Sequence, residues 1–505
     1  MDLLILLWLV ISVISTVILF FKKKYSYWKE RGIEYVEPSF PLGNLSFGGN
    51  QLLDFIQNMY NHKQRGPLIG AYIIWNPVAV PTDLDLIQKI LVKDFNSFHA
   101  RGMYVNAEDD PLSANMFSLD GEKWKFIRSK LSPTFTSGKM KFMLPTVVDV
   151  AERFNEILGD IVKTQSVLEI KDLLARFTTD VIGSCAFGVE CNSLKDPNAI
   201  FRYYGKKVID EPHSSPLMQI LAAHYPDLAR KFHVRITAKD VEQFFIETVR
   251  KTVEYRERNN IRRNDFLDLL IQMNKDEDKN DGHSKKLEKL SLNVLAAQAF
   301  LFFLAGFETS STTMMYSLYE LALNSDIQNK ARREINAVLA NHDGKLSYEA
   351  MQEMIYIEQI INEALRKYPP VTFLIRKTAR DYQLPHSKAV IEKGTEIFIP
   401  AYGVHHDPEI YPNPEIFDPE RFSADEVKRR HPMSFLAFGD GPRNCVGLRF
   451  GKMQAKVGLI ALIKNYQFAP CSKTSIRLTF DPLKAALTPK GGMFLDVQKV
   501  DRKII

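Results

Sequence analysis

Cysteine is scarce in this 505-residue chain, with four residues at Cys185, Cys191, Cys445 and Cys471. So few thiols cannot build the disulfide framework of a small secreted domain, and a reducing compartment suits them better. No C-x-x-C pair occurs and no histidines stand at zinc-finger distances, which argues against a structural zinc site. A dominant charge of one sign is missing as well. Lys and Arg number 66 against 60 for Asp and Glu, a net +6 that does not indicate a nucleic-acid binder with a cationic surface. Glycine and proline, 25 of each, are too few for a collagenous or low-complexity chain. No G-x-G-x-x-G, lysine-bearing P-loop, flavin or nicotinamide motif and no internal repeat is present. What is present is an ordinary globular composition, 45% hydrophobic, on a chain long enough for a large core.

One long hydrophobic run stands out. Leu3 to Phe21 carries no charge and is interrupted only by Ser12, Ser15 and Thr16. That is close to the ~20 residues a helix needs to cross a bilayer. Asp2 precedes it and Lys22, Lys23 and Lys24 follow it, the reverse of a cleaved signal peptide. The lysines place the following chain on the cytosolic side. Residues 1–21 are therefore expected to be a transmembrane signal anchor. Residues 22–45 are expected to form a basic, proline-containing hinge, with Tyr25, Tyr27 and Trp28 suited to the headgroup region. Residues 46–505 then form one large unit.

Helical patterns dominate that unit. Leu292 to Leu323 is long, apolar and free of proline, which predicts a helix through the core. Asp326 to Leu339 and Tyr348 to Tyr368 also predict helices, the latter stopped by Pro369 and Pro370. The polar stretch Asn274 to Lys286 predicts a surface loop. Leu68 to Ile74, Val390 to Ile399 and Phe494 to Val497 predict strands. The fold class is mainly α with a minor β region.

Phe438 to Gly447 reads F-G-D-G-P-R-N-C-V-G, and a helical pattern runs on from Leu448 to Lys464. Cys445 thus sits where a glycine-rich loop feeds a helix N-terminus, where backbone N–H groups favour a thiolate. Glycines at 439, 441 and 447 allow tight turns and close approach to a flat cofactor. By its residues alone this cysteine is either a ligand or an inert buried thiol.

The loop resembles the haem-binding motif F-x-x-G-x-R-x-C-x-G of the cytochrome P-450 monooxygenases, matched at every fixed position. A-G-F-E-T at Ala305 to Thr309 is similar to the family's oxygen-activation motif, and E-A-L-R at Glu363 to Arg366 to its E-x-x-R. P-E-R-F at Pro419 to Phe422 and W-x-x-x-R at Trp124 to Arg128 complete the series in family order. The resemblance implies a single haem-thiolate domain over 46–505 with haem b held by Cys445. It implies haem contacts from Phe438 and propionate contacts from Trp124, Arg128, Arg376 and Arg443, with Arg101 a weaker candidate. Thr309 and Glu308 would relay protons to dioxygen. Glu363, Arg366 and Arg421 would form a structural clamp, since helix positions i and i+3 share a face. By the same analogy Met116, Phe117, Phe303, Leu304, Ala305, Val371, Phe373 and Leu374 would line the substrate pocket.

The activity implied is insertion of one oxygen atom from dioxygen into a lipophilic substrate. NADPH would act through a separate cytochrome reductase, with cytochrome b5 a second partner. A basic face of Lys123, Lys125, Lys130, Lys139, Lys428, Arg429, Arg430, Arg449 and Lys452 is expected to receive the reductase. R-G-M-Y, D-D-P-L-S and P-T-F-T-S-G-K-M-K, with F-P-L-G-N in the hinge, resemble the insect microsomal branch that metabolises plant toxins and insecticides. The hinge departs from the more usual P-P-G-P form. A biosynthetic enzyme for a hormone, steroid or fatty acid would share these motifs. A non-catalytic binder of haem or an apolar ligand would need neither Thr309 nor Glu308. The expected location is the endoplasmic reticulum membrane, with the catalytic domain in the cytosol.

Overall fold

The computed structural model describes residues 2–45, 51–211, 214–263, 265–277, 290–481 and 486–500. Its first helix, Asp2–Tyr25, carries the apolar run with its large side chains exposed, and it is long and apolar enough to cross a membrane. Leu292–Leu323 is the central helix, with the bounds its sequence pattern predicts. The Ser291 hydroxyl caps it by accepting from the Val294 amide at 3.3 Å. This helix also passes the test of length and composition for a membrane span, but half of its most apolar window is buried inside the protein. Helices Ile170–Ile182, Lys239–Arg258 and Leu448–Asn465 surround it.

Other predicted helices are adjusted at their ends. Asp326 to Leu339 lies within Ser325–Asn341. Tyr348 to Tyr368 is divided at Met354 into Tyr348–Glu353 and Ile355–Lys367. The break is held from outside, because the Glu334 carboxylate accepts from the amides of Tyr356 at 2.7 Å and Ile357 at 3.0 Å. A neighbouring helix thereby supplies the N-terminal cap of the second segment. Of the predicted loop Asn274 to Lys286, the first residues belong to the helix Phe266–Glu277, and the rest lies outside the described residues.

Among the described residues nine short strands accompany the helices: β1 (Leu68–Ile73), β2 (Asn76–Pro81), β3 (Val167–Glu169), β4 (Leu374–Lys377), β5 (Tyr382–Gln383), β6 (Val390–Ile391), β7 (Glu396–Ile399), β8 (Tyr466–Ala469) and β9 (Phe494–Lys499). The predicted strand Val390 to Ile399 is thus two strands joined by a turn at Gly394. The main sheet has the order β1-β2-β7-β4, with β2 and β7 parallel and the other pairs antiparallel. Alternation along the strands gives it two apolar faces. Ile69, Ala71, Val78, Val80 and Phe398 pack on Phe55, Ile56 and Met59 of the helix Gln51–Tyr60. Leu68, Tyr72, Ala79, Ile397 and Ile399 pack on Trp28, Ile87 and Leu91. Arg376 pairs with Ile397 and so lies on this second face.

The segment expected to be a hinge is pinned to the sheet. Trp28 is not at a headgroup surface. It is fully buried, its indole N–H donates to Ala71 O at 2.9 Å, and a Cβ on Gly70 would stand 2.6 Å from its ring. Gly70 and Val36 exchange backbone bonds with residues 34 and 70, extending the pairing beyond β1. Asn44 of F-P-L-G-N accepts from the Tyr72 amide at 2.8 Å and donates to the carbonyls of Val36 and Glu37. The segment that leaves the first helix is therefore part of the core. Replacing Trp28 with Ala should cost about 3–5 kcal/mol in a denaturant melt of the full-length protein. Trp28→Phe, which loses the hydrogen bond but less volume, should cost clearly less. Equal, small losses would show that the strap carries no stability.

Candidate active site

The Cys445 loop is built from the backbone outward. Gly439 and Gly441 sit at positive φ, 65° and 69°, and a Cβ on Gly441 would lie 2.0 Å from Leu91 O, so both turns require glycine. Gly447 is the N-cap of Leu448–Asn465 at φ −86°, which any residue can adopt. The Cys445 amide donates to Phe438 O at 2.8 Å, closing the loop on itself. Phe438 is partly buried against the main core, with Lys452 Nζ 5.9 Å from its ring centroid.

Cys445 lies deep in the protein, yet its surface is open, so it faces an internal cleft. Burial pushes its thiol pKa up, and the Gly447 N–H with the Arg128 and Arg101 cations only partly offset this. Desolvation outweighs the helix-terminus effect expected from the sequence.

Leu448–Asn465 crosses the central helix at Gly306, whose carbonyl accepts from Gln454 Nε2 at 3.1 Å. This crossing brings the cysteine loop up to the Ala305 to Ser310 segment. Ala305 is exposed in the middle of an otherwise buried helix, and Leu301, Leu304 and Thr309 are partly so. At one turn per 3.6 residues Leu301, Ala305 and Thr309 form one stripe toward the cleft. Gly306 serves packing instead: a Cβ there would meet Ile182 Cδ1 at 2.3 Å.

The helix runs through this segment without a break. Side chains engage three successive carbonyls there. Thr309 Oγ1 donates to Ala305 O at 2.6 Å, Gln454 to Gly306 O, and Thr178 Oγ1 to Phe307 O at 2.9 Å. Glu308 points off the stripe and pairs with Lys171 Nζ at 3.0 Å.

Beside Cys445 lies a cluster of cations. Arg101, Arg128, Arg376 and Arg443 converge with Asp120 as the opposing carboxylate. Asp120 accepts from Arg443 Nη2 at 2.7 Å and from the amides of Arg101 and Gly102 at 2.8 Å each. Arg128 donates to Asn444 O and Oδ1, and Arg101 to the carbonyls of Phe117 and Arg443. Arg443 also stacks on Trp124, with its Cζ 4.1 Å from the ring centroid. Burial, reinforced by neighbouring cations, pushes Arg101 down to about 9 and Arg376 and Arg443 to about 10. Among the described residues Arg376 Nε and Arg443 Nη1 are buried without an acceptor. The cluster has more positive charge and more donors than its protein acceptors can satisfy.

Of the expected pocket residues, Phe117 and Val371 are exposed, and Leu304, Ala305 and Leu374 keep open surface. Phe117 lies flat on Arg101 at 4.1 Å, and Leu374 stands beside Gly439. Met116 is largely buried, its amide bonded to Gln298 Oε1 at 2.9 Å. Two others do not line the cleft. Phe303 is fully buried among Phe187, Phe201, Phe245 and Phe307, because its helix position turns it from the Leu301–Ala305 stripe. Phe373 packs on Phe398, on the sheet face opposite that of Arg376. Leu301 and Asp120 were missed. The i+4 spacing of Leu301 to Ala305 and Thr309 could have pointed to the first.

Behind the loop, Glu363 and Arg366 are both fully buried and paired twice, Nε to Oε2 at 2.7 Å and Nη2 to Oε1 at 2.8 Å. Arg421 Nε lies 3.5 Å from Glu363 Oε1, and the Asp418 amide donates to the same oxygen at 3.0 Å. Arg366 also donates to His405 O at 2.9 Å and Pro414 O at 2.7 Å. The expected clamp is therefore assembled.

A family model described as Cytochrome P450 matches residues 38–495. Cytochrome P450 6A1 of Musca domestica is 46% identical over 503 residues, 98% of each chain. Probable cytochrome P450 6a14 of Drosophila melanogaster is 46% identical over 489 residues, covering 95% of this chain and 96% of that one. Cytochrome P450 6a2 of Drosophila melanogaster is 44% identical over 504 residues, covering 98% and 100%.

Arg366→Met should destabilise the protein by about 3–5 kcal/mol in a denaturant melt, because Glu363 is left charged and buried. The double variant with Glu363→Gln should recover part of that loss. A double variant no better than the single one would show that the charges are not coupled.

Proposed function

Because the chain belongs to the cytochrome P450 family, haem-thiolate monooxygenases that use haem b with NADPH-derived electrons, we propose that Cys445 would hold the haem iron as a thiolate in a membrane-anchored enzyme that oxygenates lipophilic foreign compounds. The observation that carries the site assignment is the cation cluster. Buried guanidinium N–H groups of Arg376 and Arg443 without acceptors, in a cluster whose Arg128 and Arg101 cations act on Cys445, suit a flat cofactor carrying two carboxylates. Arg101, Arg128, Arg376 and Arg443 would hold the propionates, and Trp124 would fix Arg443 by stacking. Phe438 belongs to the same cradle. When bound, the haem supplies dioxygen activation, favoured by electron donation from the thiolate.

The chain's own residues position and protonate. Thr309 gives its hydroxyl proton to Ala305 O, which leaves its lone pairs free to accept from a water in the cleft. Glu308 is neutralised by Lys171, and its part in proton delivery requires that pair to open. Leu301, Leu304, Ala305, Phe117, Val371 and Leu374 give the cleft an apolar lining that excludes water and suits lipophilic ligands. Replacing Cys445 with Ser should abolish the thiolate-type carbon monoxide spectrum of the reduced protein, and its retention would reject the ligand assignment. Thr309→Ala should lower product yield and raise hydrogen peroxide release per NADPH, while unchanged coupling would remove the relay.

Three lysines in the last turn of the first helix, after its apolar run, support insertion in the endoplasmic reticulum with the catalytic domain in the cytosol. NADPH–cytochrome reductase is the proposed electron donor, with cytochrome b5 as a second partner. Of the basic residues proposed to receive the reductase, Lys123, Lys125, Lys428 and Arg429 are exposed. Arg430 is occupied, donating to Arg421 O and lying over the rings of Tyr411 and Phe422. Lys428→Glu with Arg429→Glu should slow reduction several-fold at low salt, with the difference vanishing at high salt. An equal rate at low salt would take this patch out of the docking face.

Membership of the insect detoxifying group rests on likeness to the Musca and Drosophila proteins and on the apolar lining. A titration of the ferric haem spectrum with furanocoumarins, flavonoids, pyrethroid-type compounds, steroids and fatty acids tests it. Shifts with many unrelated apolar compounds are expected. A tight shift with a single steroid or fatty acid would favour a biosynthetic role.

A further inference from the structure

His405 is fully buried at the end of the short helix Ala401–His405 and is bonded through both ring nitrogens. Nε2 stands 2.8 Å from the Leu436 amide and Nδ1 3.2 Å from Arg366 O. An amide N–H can only donate, so Nε2 holds the lone pair and Nδ1 carries the proton given to Arg366 O. Arg366 returns the contact by donating to the carbonyl of His405 at 2.9 Å. The imidazole also stacks on Phe435, with centroids 5.4 Å apart and planes 17° apart. From Leu436 the bonding continues into the cysteine loop: Gly439 N donates to Leu436 O at 2.9 Å, and Cys445 N to Phe438 O at 2.8 Å. Full burial beside the Arg366 guanidinium and His406 pushes the ring's pKa well below its usual value, in keeping with the single neutral tautomer these bonds require.

We propose that His405 is a positioning residue that couples the Glu363–Arg366 clamp to Leu436 and so sets the placement of the Cys445 sulfur. The inference rests on the reading of Cys445 as the residue that would hold the haem iron. It assigns the clamp an output: rigidity of the buried ion pair reaches the loop through one imidazole rather than through general packing.

Two variants of the full-length, haem-loaded protein separate the two ring nitrogens. The amide of His405→Gln reaches the place of Nε2 and can accept from Leu436, whereas that of His405→Asn reaches only the place of Nδ1 and keeps the Arg366 bond. At equal haem content, His405→Asn should lose more than half of the thiolate-type carbon monoxide signal and shift the reduction potential. His405→Gln should stay close to the parent in both. His405→Asn with the parent's spectrum and potential, or His405→Gln as impaired as His405→Asn, would overturn the proposal. If neither variant accumulates, amide hydrogen exchange in the unaltered protein decides. A Leu436 amide among the slowest supports the coupling, and one exchanging as fast as exposed loop amides overturns it. A parent that lacks the thiolate-type spectrum removes the Cys445 reading and this inference with it, whereas a normal parent with a normal His405→Asn removes this inference alone.

Discussion

A guanidinium with no solvent contact must find its partners inside the protein, and Arg366 finds them on segments far apart in the chain. Its side chain joins Glu363 on its own helix to the carbonyls of His405 and Pro414, while Glu363 reaches the Asp418 amide and Arg421. Such a pair adds little net stability over a well-packed apolar substitute, because desolvation cancels most of the attraction. Its effect is on arrangement: any displacement of these segments strands a buried charge. The approach to the cysteine loop is held by that penalty.

The cleft applies the opposite principle. There the charges are left incompletely compensated, with Arg101, Arg128, Arg376 and Arg443 gathered around Asp120 and two guanidinium nitrogens lacking acceptors. Burial, joined by repulsion among the cations, depresses the pKa values of Arg101, Arg376 and Arg443, so an anionic group bound there would offset part of that cost. At Cys445 burial likewise pushes the thiol pKa up, against the Gly447 N–H and the Arg128 and Arg101 cations.

Local rules accounted for much of the architecture. The central helix has the bounds its unbroken apolar pattern predicts, from Leu292 to Leu323, and the i,i+3 spacing of Glu363 and Arg366 was enough to place them together. Local rules failed where the deciding partner came from elsewhere. Met354 interrupts a helical pattern because Glu334, on another helix, caps the segment that follows. Trp28 resembles an interfacial residue in its sequence setting, but it fills a space that Gly70 leaves on the sheet. Phe303 and Phe373 are aromatic neighbours of cleft residues, but helix rotation and strand alternation turn them to other clusters.

The sequence by itself determined the apolar first helix, the mainly helical class, the motif carrying Cys445 and the identity of the clamp pair, because each depends on residue types at short spacing. Only the tertiary structure decided that Leu301 shares the cleft, that Asp120 opposes the arginines, that Lys171 holds Glu308 and that His405 joins the clamp to the cysteine loop. Hydrogen bonds and charge act over a few ångströms in space, and the distance along the chain between their partners leaves no trace of them in local pattern.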